Sequence, residues 1–282
     1  MKKRMMMGAA ALLAVTPLAA QQAAQKPETI RVGTATEVWV LQETSGQGNT
    51  GVLVDAPARV LADHAPDGTF PNATNAVLVR RGDDVTLIDA GYGRTIFEKM
   101  AALGIAPEDV DRVLLTHMHG DHIGGMLRDG ARAFPNATVA LSQREYDHFS
   151  GPGNEGAARV FEAYKGSLEM LSPGEITSPM AQGFTPIAAY GHTPGHTMFM
   201  IRDGYEQLLV WGDLTHAMAI QMPHPEISVR YDSDPAVARD NRIAVLRAVA
   251  AERTPVVGMH VAATSPGQVS DNGEGGYDFR VR

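Results

Sequence analysis

The chain has 282 residues, 44% of them hydrophobic, a formal net charge of −8 and no cysteine. That is enough chain to bury a sizeable core in one α/β domain or two small ones. The acidic balance argues against nucleic acid as a partner, because like charges repel, and without cysteine no thiolate can ligate a metal.

Met1-Lys2-Lys3-Arg4 is basic, Met5 to Ala20 is apolar and alanine-rich, and small residues with glutamines follow. This order predicts a secretory signal peptide over residues 1–24, cleaved between Ala19 and Ala24. The run is short for a membrane span, and no Cys follows it to carry a lipid. The mature chain, 25–282, is expected in the periplasm or outside the cell, away from the membrane. Losing Lys2, Lys3 and Arg4 makes it more acidic still.

Pro27 to Asp55 reads as one or two strands around a glycine-rich turn, Ser45 to Gly51, and Leu61 to Thr74 as a surface loop. Asn75 to Arg80 and Val85 to Asp89 predict a hairpin turning at Arg81 to Asp84. Thr95 to Leu103 has helical spacing through Ile96, Met100 and Leu103. A strand from Val113 to Leu115 leads into the loop Thr116 to His122. Thr138 to Leu141 predicts a further strand, Ser142 to Phe149 a helix, and Glu155 to Leu171 another. Strands follow at Phe184 to Ala189, Met198 to Ile201 and Gln207 to Trp211. Asp234 to Arg253 is the longest helical stretch, opened by Asp234-Pro235. Val256-Val257 is a last strand, and the tail from Ser265 is polar and glycine-rich. Strands alternate with helices, so the class is α/β.

Within Thr116-His117-Met118-His119-Gly120-Asp121-His122, three histidines and an aspartate fall inside six residues, just after a buried strand. Imidazole nitrogens and a carboxylate brought to one spot make a site for zinc or a similar divalent ion. Three later segments put metal-competent side chains at strand ends or turns, where α/β sheets build sites. They are Gly191-His192-Thr193-Pro194-Gly195-His196-Thr197, Gly212-Asp213 and Gly258-Met259-His260.

These motifs, in this order, resemble those of the metallo-β-lactamase-fold hydrolases, from about Val38 to His260. The resemblance implies a four-layer αββα sandwich with metals at one edge between its sheets. It implies that His117, His119 and His196 hold one ion, Asp121, His122 and His260 the other, and that Asp213 bridges them. His196 is preferred to His192 on the family's Gly-His-Thr pattern. Asp89, in Leu87-Ile88-Asp89-Ala90-Gly91, matches a position that supports the ligand shell. His64, His148 and His224 are expected to be solvated or locally bonded. Two Zn2+, or Mn, Co or Fe in their place, would share an activated hydroxide and polarise the substrate oxygen. Asp121 would orient that nucleophile or shuttle a proton.

Departures from the family narrow the substrate. Cysteine-ligand β-lactamases are excluded, and a bridging aspartate is not a feature of the all-histidine ones. Thioesterases of the family carry a helical region after the last ligand, and only 22 residues follow His260. Gly212 to Ala238 looks like the corresponding region of the methyl parathion hydrolase-like enzymes. Acyl-homoserine lactonases often have Tyr three residues after the bridging Asp, where this chain has His216. The expectation is therefore a hydrolase of lactones or related aryl esters, with side activity on phosphotriesters. His216 and Tyr231 are the pocket candidates, His216 also a catalytic one beside Asp121. The alternatives are a quorum-quenching N-acyl-homoserine lactonase, a β-lactamase, a mononuclear-iron persulfide dioxygenase and a non-catalytic metal-binding protein. A small-molecule substrate is the expected partner, and a homodimer stays open.

Overall fold

The structure is a computed structural model that describes residues 26–172 and 183–282. The expected signal peptide lies outside the described residues. From the N-terminus come β1 (Ile30–Val32), β2 (Thr36–Asn49), β3 (Leu53–Val54), α1 (Ala58–His64), β4 (Thr69–Arg81), β5 (Asp84–Ile88), α2 (Ile96–Ala102) and β6 (Arg112–Leu114). Next are α3 (Gly120–Ile123), β7 (Leu127–Arg128), β8 (Ala131–Arg132), β9 (Thr138–Ser142), α4 (Gln143–Phe149), α5 (Glu155–Ala163) and β10 (Leu168–Leu171). The second part holds β11 (Phe184–Ala188), β12 (Thr197–Asp203), β13 (Glu206–Val210), α6 (Met218–Gln221) and β14 (Ser228–Val229). It ends with α7 (Pro235–Glu252), β15 (Val256–Val257), β16 (Gly267–Asp271) and β17 (Tyr277–Val281).

Two large sheets form, in the orders β1-β2-β4-β5-β6-β9-β10 and β11-β12-β13-β15-β16-β17. Period-2 alternation sends successive side chains of one strand to different layers. In β2, Val38 and Val40 face the second sheet and meet Phe199, Ile201, Val210 and Val257. Trp39 and Leu41 face the other way, toward Ile96, Met100, Val160 and Phe161 of the helical layer. On the far side of the second sheet, Leu246 and Val249 of α7 cover Met198, Met200, Leu209 and Trp211. Helix, sheet, sheet, helix is the αββα sandwich that the motifs implied.

Three expectations from local pattern fail, and one segment is left without any. The stretch Ser45 to Asn49 is no turn: it continues β2, paired residue by residue with β4 as far as Asn49 against Thr69. A Cβ on Gly48 would stand 2.5 Å from the Phe70 ring, so this glycine leaves room for an aromatic to lie across the strand. Leu61 to Thr74 is not a loop but the end of α1 and the start of β4. The helix expected to reach Leu171 stops at Ala163, and Gly166 (φ 85°) turns the chain into β10. The polar tail is β16 and β17, held on the second sheet by pairing that propensity does not reveal.

Strands β5, β6 and β9 run parallel, as do β13 and β15. Their C-terminal ends, at Asp89, Leu115, Asp213 and His260, therefore open on one edge of the sandwich, the usual place for a site in such sheets. Asn75 ties the sheets together there. Its backbone N–H donates to Met259 O at 2.9 Å, and its side-chain amide donates to Gly258 O at 2.9 Å and Val261 O at 2.8 Å. Among the described residues no helix is long and apolar enough to cross a membrane.

Candidate metal centre

Asp89 ends β5 in a left-handed conformation, φ 58°, which aspartate tolerates better than most residues. Its fully buried carboxylate accepts the Thr116 N–H at 2.8 Å and the Thr116 hydroxyl at 2.7 Å, and meets His122 Nδ1 at 2.7 Å. The start of the histidine loop is thus fixed by the end of the neighbouring strand. The loop then enters the one-turn helix α3, which carries Asp121 and His122.

Three ring nitrogens converge. His117 Nε2 lies 3.1 Å from His119 Nδ1, and His192 Nε2 lies 3.2 Å from the first and 3.1 Å from the second. Asp213 Oδ2 closes the group, 3.6 Å from His117 Nε2 and 3.3 Å from His192 Nε2. A second group shares Asp213. His122 Nε2 stands 3.4 Å from its Oδ1 and His260 Nε2 3.1 Å from its Oδ2. Asp121 completes this group, 3.7 Å from His122 Nε2 and 3.5 Å from His260 Nε2.

These separations fit bound ions. Four ligands at zinc distances on a tetrahedron stand roughly 3.3 Å from one another. Neither His122 Nε2 nor Asp213 Oδ1 has a hydrogen-bond partner, although both are buried. Buried polar atoms normally find one. The donor set is all imidazole and carboxylate, suited to zinc and equally to manganese, cobalt or iron.

Electrostatics point the same way. Burial drives His117 well below the usual histidine range and His119 down to about 4, so both present lone pairs at neutral pH. His122 is also buried, but Asp213 and Asp89 outweigh burial and hold it well above that range. Burial opposes protonation of His192 too, yet bonds to Asp213 and Asp232 raise it to about 9. Burial alone would raise Asp213, but the surrounding histidines, His122 first, keep it well below the carboxylate range.

Six of the seven expected ligands meet here, and His196 does not. Its Nε2 accepts the Asp213 N–H at 2.9 Å and its Nδ1 faces Ala189 O at 3.0 Å, so neither nitrogen is left for an ion. Gly212 (φ 58°) makes this approach feasible, since a Cβ there would lie 2.5 Å from His196 Nε2. The role expected of His196 falls geometrically to His192. His196 instead orients the backbone that carries Asp213. Gly-His-Thr occurs twice, at Gly191-His192-Thr193 and Gly195-His196-Thr197, so the pattern that favoured His196 fits His192 equally, and the hydrogen bonds separate them.

Outer contacts hold the rings. Thr116 Oγ1 lies 3.1 Å from His117 Nδ1, Asp232 Oδ1 3.0 Å from His192 Nδ1 and Ala73 O 2.8 Å from His260 Nδ1. Such partners fix ring orientation and raise the basicity of a ligand. Asp232 escaped sequence reasoning, because nothing in Arg230-Tyr231-Asp232-Ser233 marks it. His216 also reaches the cluster, with Nε2 3.1 Å from Asp213 Oδ2 and its ring stacked on His260 at 4.8 Å. Its Nδ1 is buried without a partner, unlike the outer nitrogens of His117, His122, His192 and His260. Distance alone would let His192, Asp213 and His216 hold an ion; the missing outer bond argues that His216 is not built as a ligand. The remaining histidines stand apart: His64 and His224 pack against each other, and His148 against Phe149.

Above the donors lies a cavity of about 470 Å3, walled by Val52, Phe70, Tyr92 and Tyr231 with Asn49 and Asn72 between them. Tyr231, half exposed, sits 5.9 Å from the His216 ring.

Residues 69–260 match the family model of the metallo-beta-lactamase superfamily. The chain belongs to the metallo-beta-lactamase superfamily. As a member of that superfamily it is 32% identical over 156 residues to the uncharacterized protein YobT of Bacillus subtilis (strain 168), covering 51% of this chain and 62% of YobT. It is 32% identical over 111 residues to the N-acyl homoserine lactonase AttM of Azorhizobium caulinodans, covering 37% of this chain and 40% of AttM. The chain thus spans less than two thirds of these relatives' length. Two solved structures share the metallo-beta-lactamase fold at 24% identity, each covering 91% of this chain and 97% of the other. They are the hydrolase AbOPH, with a TM-score of 0.81, and AidC, a dizinc quorum-quenching lactonase, with 0.79.

Proposed function

We propose that this chain is an exported, binuclear metal-dependent hydrolase that opens lactones or cleaves related aryl esters, with side activity on phosphotriesters. The observation that carries the reading is the pair of donor groups sharing Asp213. His117, His119, His192 and Asp213 would hold one divalent ion, and Asp121, His122, His260 and Asp213 the other. Ions bound there lower the pKa of water enough to make a nucleophile at neutral pH and polarise the substrate oxygen.

The chain's own residues do the rest. Asp121 is the most exposed of the donor carboxylates, its side chain 22% accessible at the cavity floor. That position supports a role in orienting the attacking water. His216 Nε2 points into the cluster beside Asp213, where it can hydrogen-bond a substrate oxygen. Burial lowers His216 to about 4, so it does this as a neutral imidazole. The apolar wall of Val52, Phe70 and Tyr231 suits an acyl or aryl group, and the asparagines suit a ring ester oxygen. The lactonase names of AttM and AidC support lactones over β-lactams. The basic, apolar, small-residue order of residues 1–24 supports export to the periplasm or beyond.

Metal analysis of the purified chain, followed by a pH-indicator screen across lactones, aryl esters, β-lactams and phosphotriesters, tests the proposal. Two divalent ions per chain with turnover of lactones or aryl esters is the expected result, lost in Asp121→Ala. A wild-type chain that hydrolyses none of these with both ions bound overturns it.

A further inference from the structure

Glu145 is fully buried, and no step of the proposed reaction uses it. It lies in the first turn of α4, three residues after Ser142, at the S-x-x-E spacing of a capping box. In that motif the serine caps the helix and the glutamate reaches back to the serine's own backbone N–H. The serine half is present, since Ser142 Oγ accepts the Glu145 N–H at 3.1 Å. The carboxylate is turned to two other loops. Oε1 accepts the Met118 N–H at 2.9 Å, from between His117 and His119. Oε2 accepts the Thr193 hydroxyl at 2.7 Å and the Gly195 N–H at 2.9 Å, from the turn that follows His192. Ser142 Oγ also donates to Gly195 O at 2.8 Å, so helix and turn are pinned twice.

We infer that Glu145 is a positioning residue that sets the spacing of His117, His119 and His192, and so controls the affinity of that one ion position. A carboxylate buried this completely is costly unless hydrogen-bonded, and charge-assisted bonds to backbone N–H groups are the short, strong kind. A glutamate needed only to cap α4 would not span two loops from different sheets. The three nitrogens it spaces sit 3.1–3.2 Å apart, close enough that a small slip of either loop breaks the group. The second position takes His122 from α3, braced by Asp89, and His260 from the end of β15, braced by Ala73 O. Glu145 touches neither.

The inference rests on the two-ion reading above. The test is zinc titration of the full chain against a competing chelator, with each binding step assigned by its loss in His192→Ala or His260→Ala. Glu145→Gln keeps the size but leaves one acceptor oxygen where Met118 N–H on one side and Gly195 N–H on the other each need one. It should weaken the step lost in His192→Ala by about 10–100-fold, the usual effect of removing an outer partner, and leave the other step unchanged. Thr193→Val, which removes a single donor, should shift the same step by less, and it decides the matter if Glu145→Gln does not fold. Equal weakening of both steps, or no change in either, overturns the inference while leaving the two-ion reading intact. A wild-type chain that takes up neither zinc nor manganese, cobalt or iron overturns both.

Discussion

The loop from Thr116 to Ile123 delivers four donors from six consecutive residues, whereas the loop from Gly191 to Thr197 carries two histidines and delivers one. The first is a strand end running into a one-turn helix, so short-range geometry turns its side chains to one side. The second is a Thr193-Pro194-Gly195 turn whose histidines meet different partners. His192 looks out at the cluster, with Asp232 behind it. His196 looks in, bonded to Asp213 N and facing Ala189 O. A local motif is therefore enough to read donors when local geometry aims them. It fails when aim depends on what another strand places alongside.

Breaking each histidine of the second loop in turn gives the largest contrast. His192→Ala should abolish one of two ion-binding steps and cut hydrolysis by orders of magnitude, checked by metal stoichiometry and kcat/KM. His196→Ala should retain both ions but lose stability, because Asp213 N–H is left buried without an acceptor, at a cost of about 1–3 kcal/mol. Denaturant unfolding of the metal-free variant measures that. If His196→Ala sheds an ion while His192→Ala keeps both, the assignment from geometry is wrong.

His216→Phe keeps the stacking on His260 and removes the polar edge. A fall in kcat of roughly 10²–10⁴-fold with both ions retained would mark His216 as acting on substrate. Loss of an ion instead would make it a ligand. Asp232→Asn should weaken the ion position served by His192 by about 10–100-fold, with little change in the fold.

The pH dependence of metal uptake is the mildest expectation. Asp213 and Asp232, against burial, raise His192 to about 9, and a metal needs that nitrogen's lone pair. Binding must then release protons below that pH, so affinity should rise with pH and level off near it. Calorimetry in buffers of different ionisation enthalpy reads the released protons. No release at pH 7 would show that His192 is already neutral.

The α/β class was legible because strands and helices alternate along the chain and their apolar periods differ, whereas the αββα layer order came only with the resemblance of the metal motifs to the superfamily. Where sequence reading went astray, long-range pairing had overruled a local signal. The glycines of Ser45 to Asn49 resemble a turn, yet β4 supplies a partner for each residue. Leu61 to Thr74 reads as a loop, yet Thr69 to Thr74 pairs with β2.

By itself the sequence marked the Thr116 to His122 loop as a cluster of donors, and its resemblance to the superfamily implied that Asp213 and His260 would join them. Only the tertiary structure brought His192, and not His196, to face that group. Choosing His192 over His196 depends on Asp232 and on the Asp213 N–H, residues distant in the chain and placed by the docking of other elements. The bracing by Glu145 is of the same kind. Its S-x-x-E spacing describes a helix cap, and only the approach of two loops from opposite sheets gives its carboxylate another task.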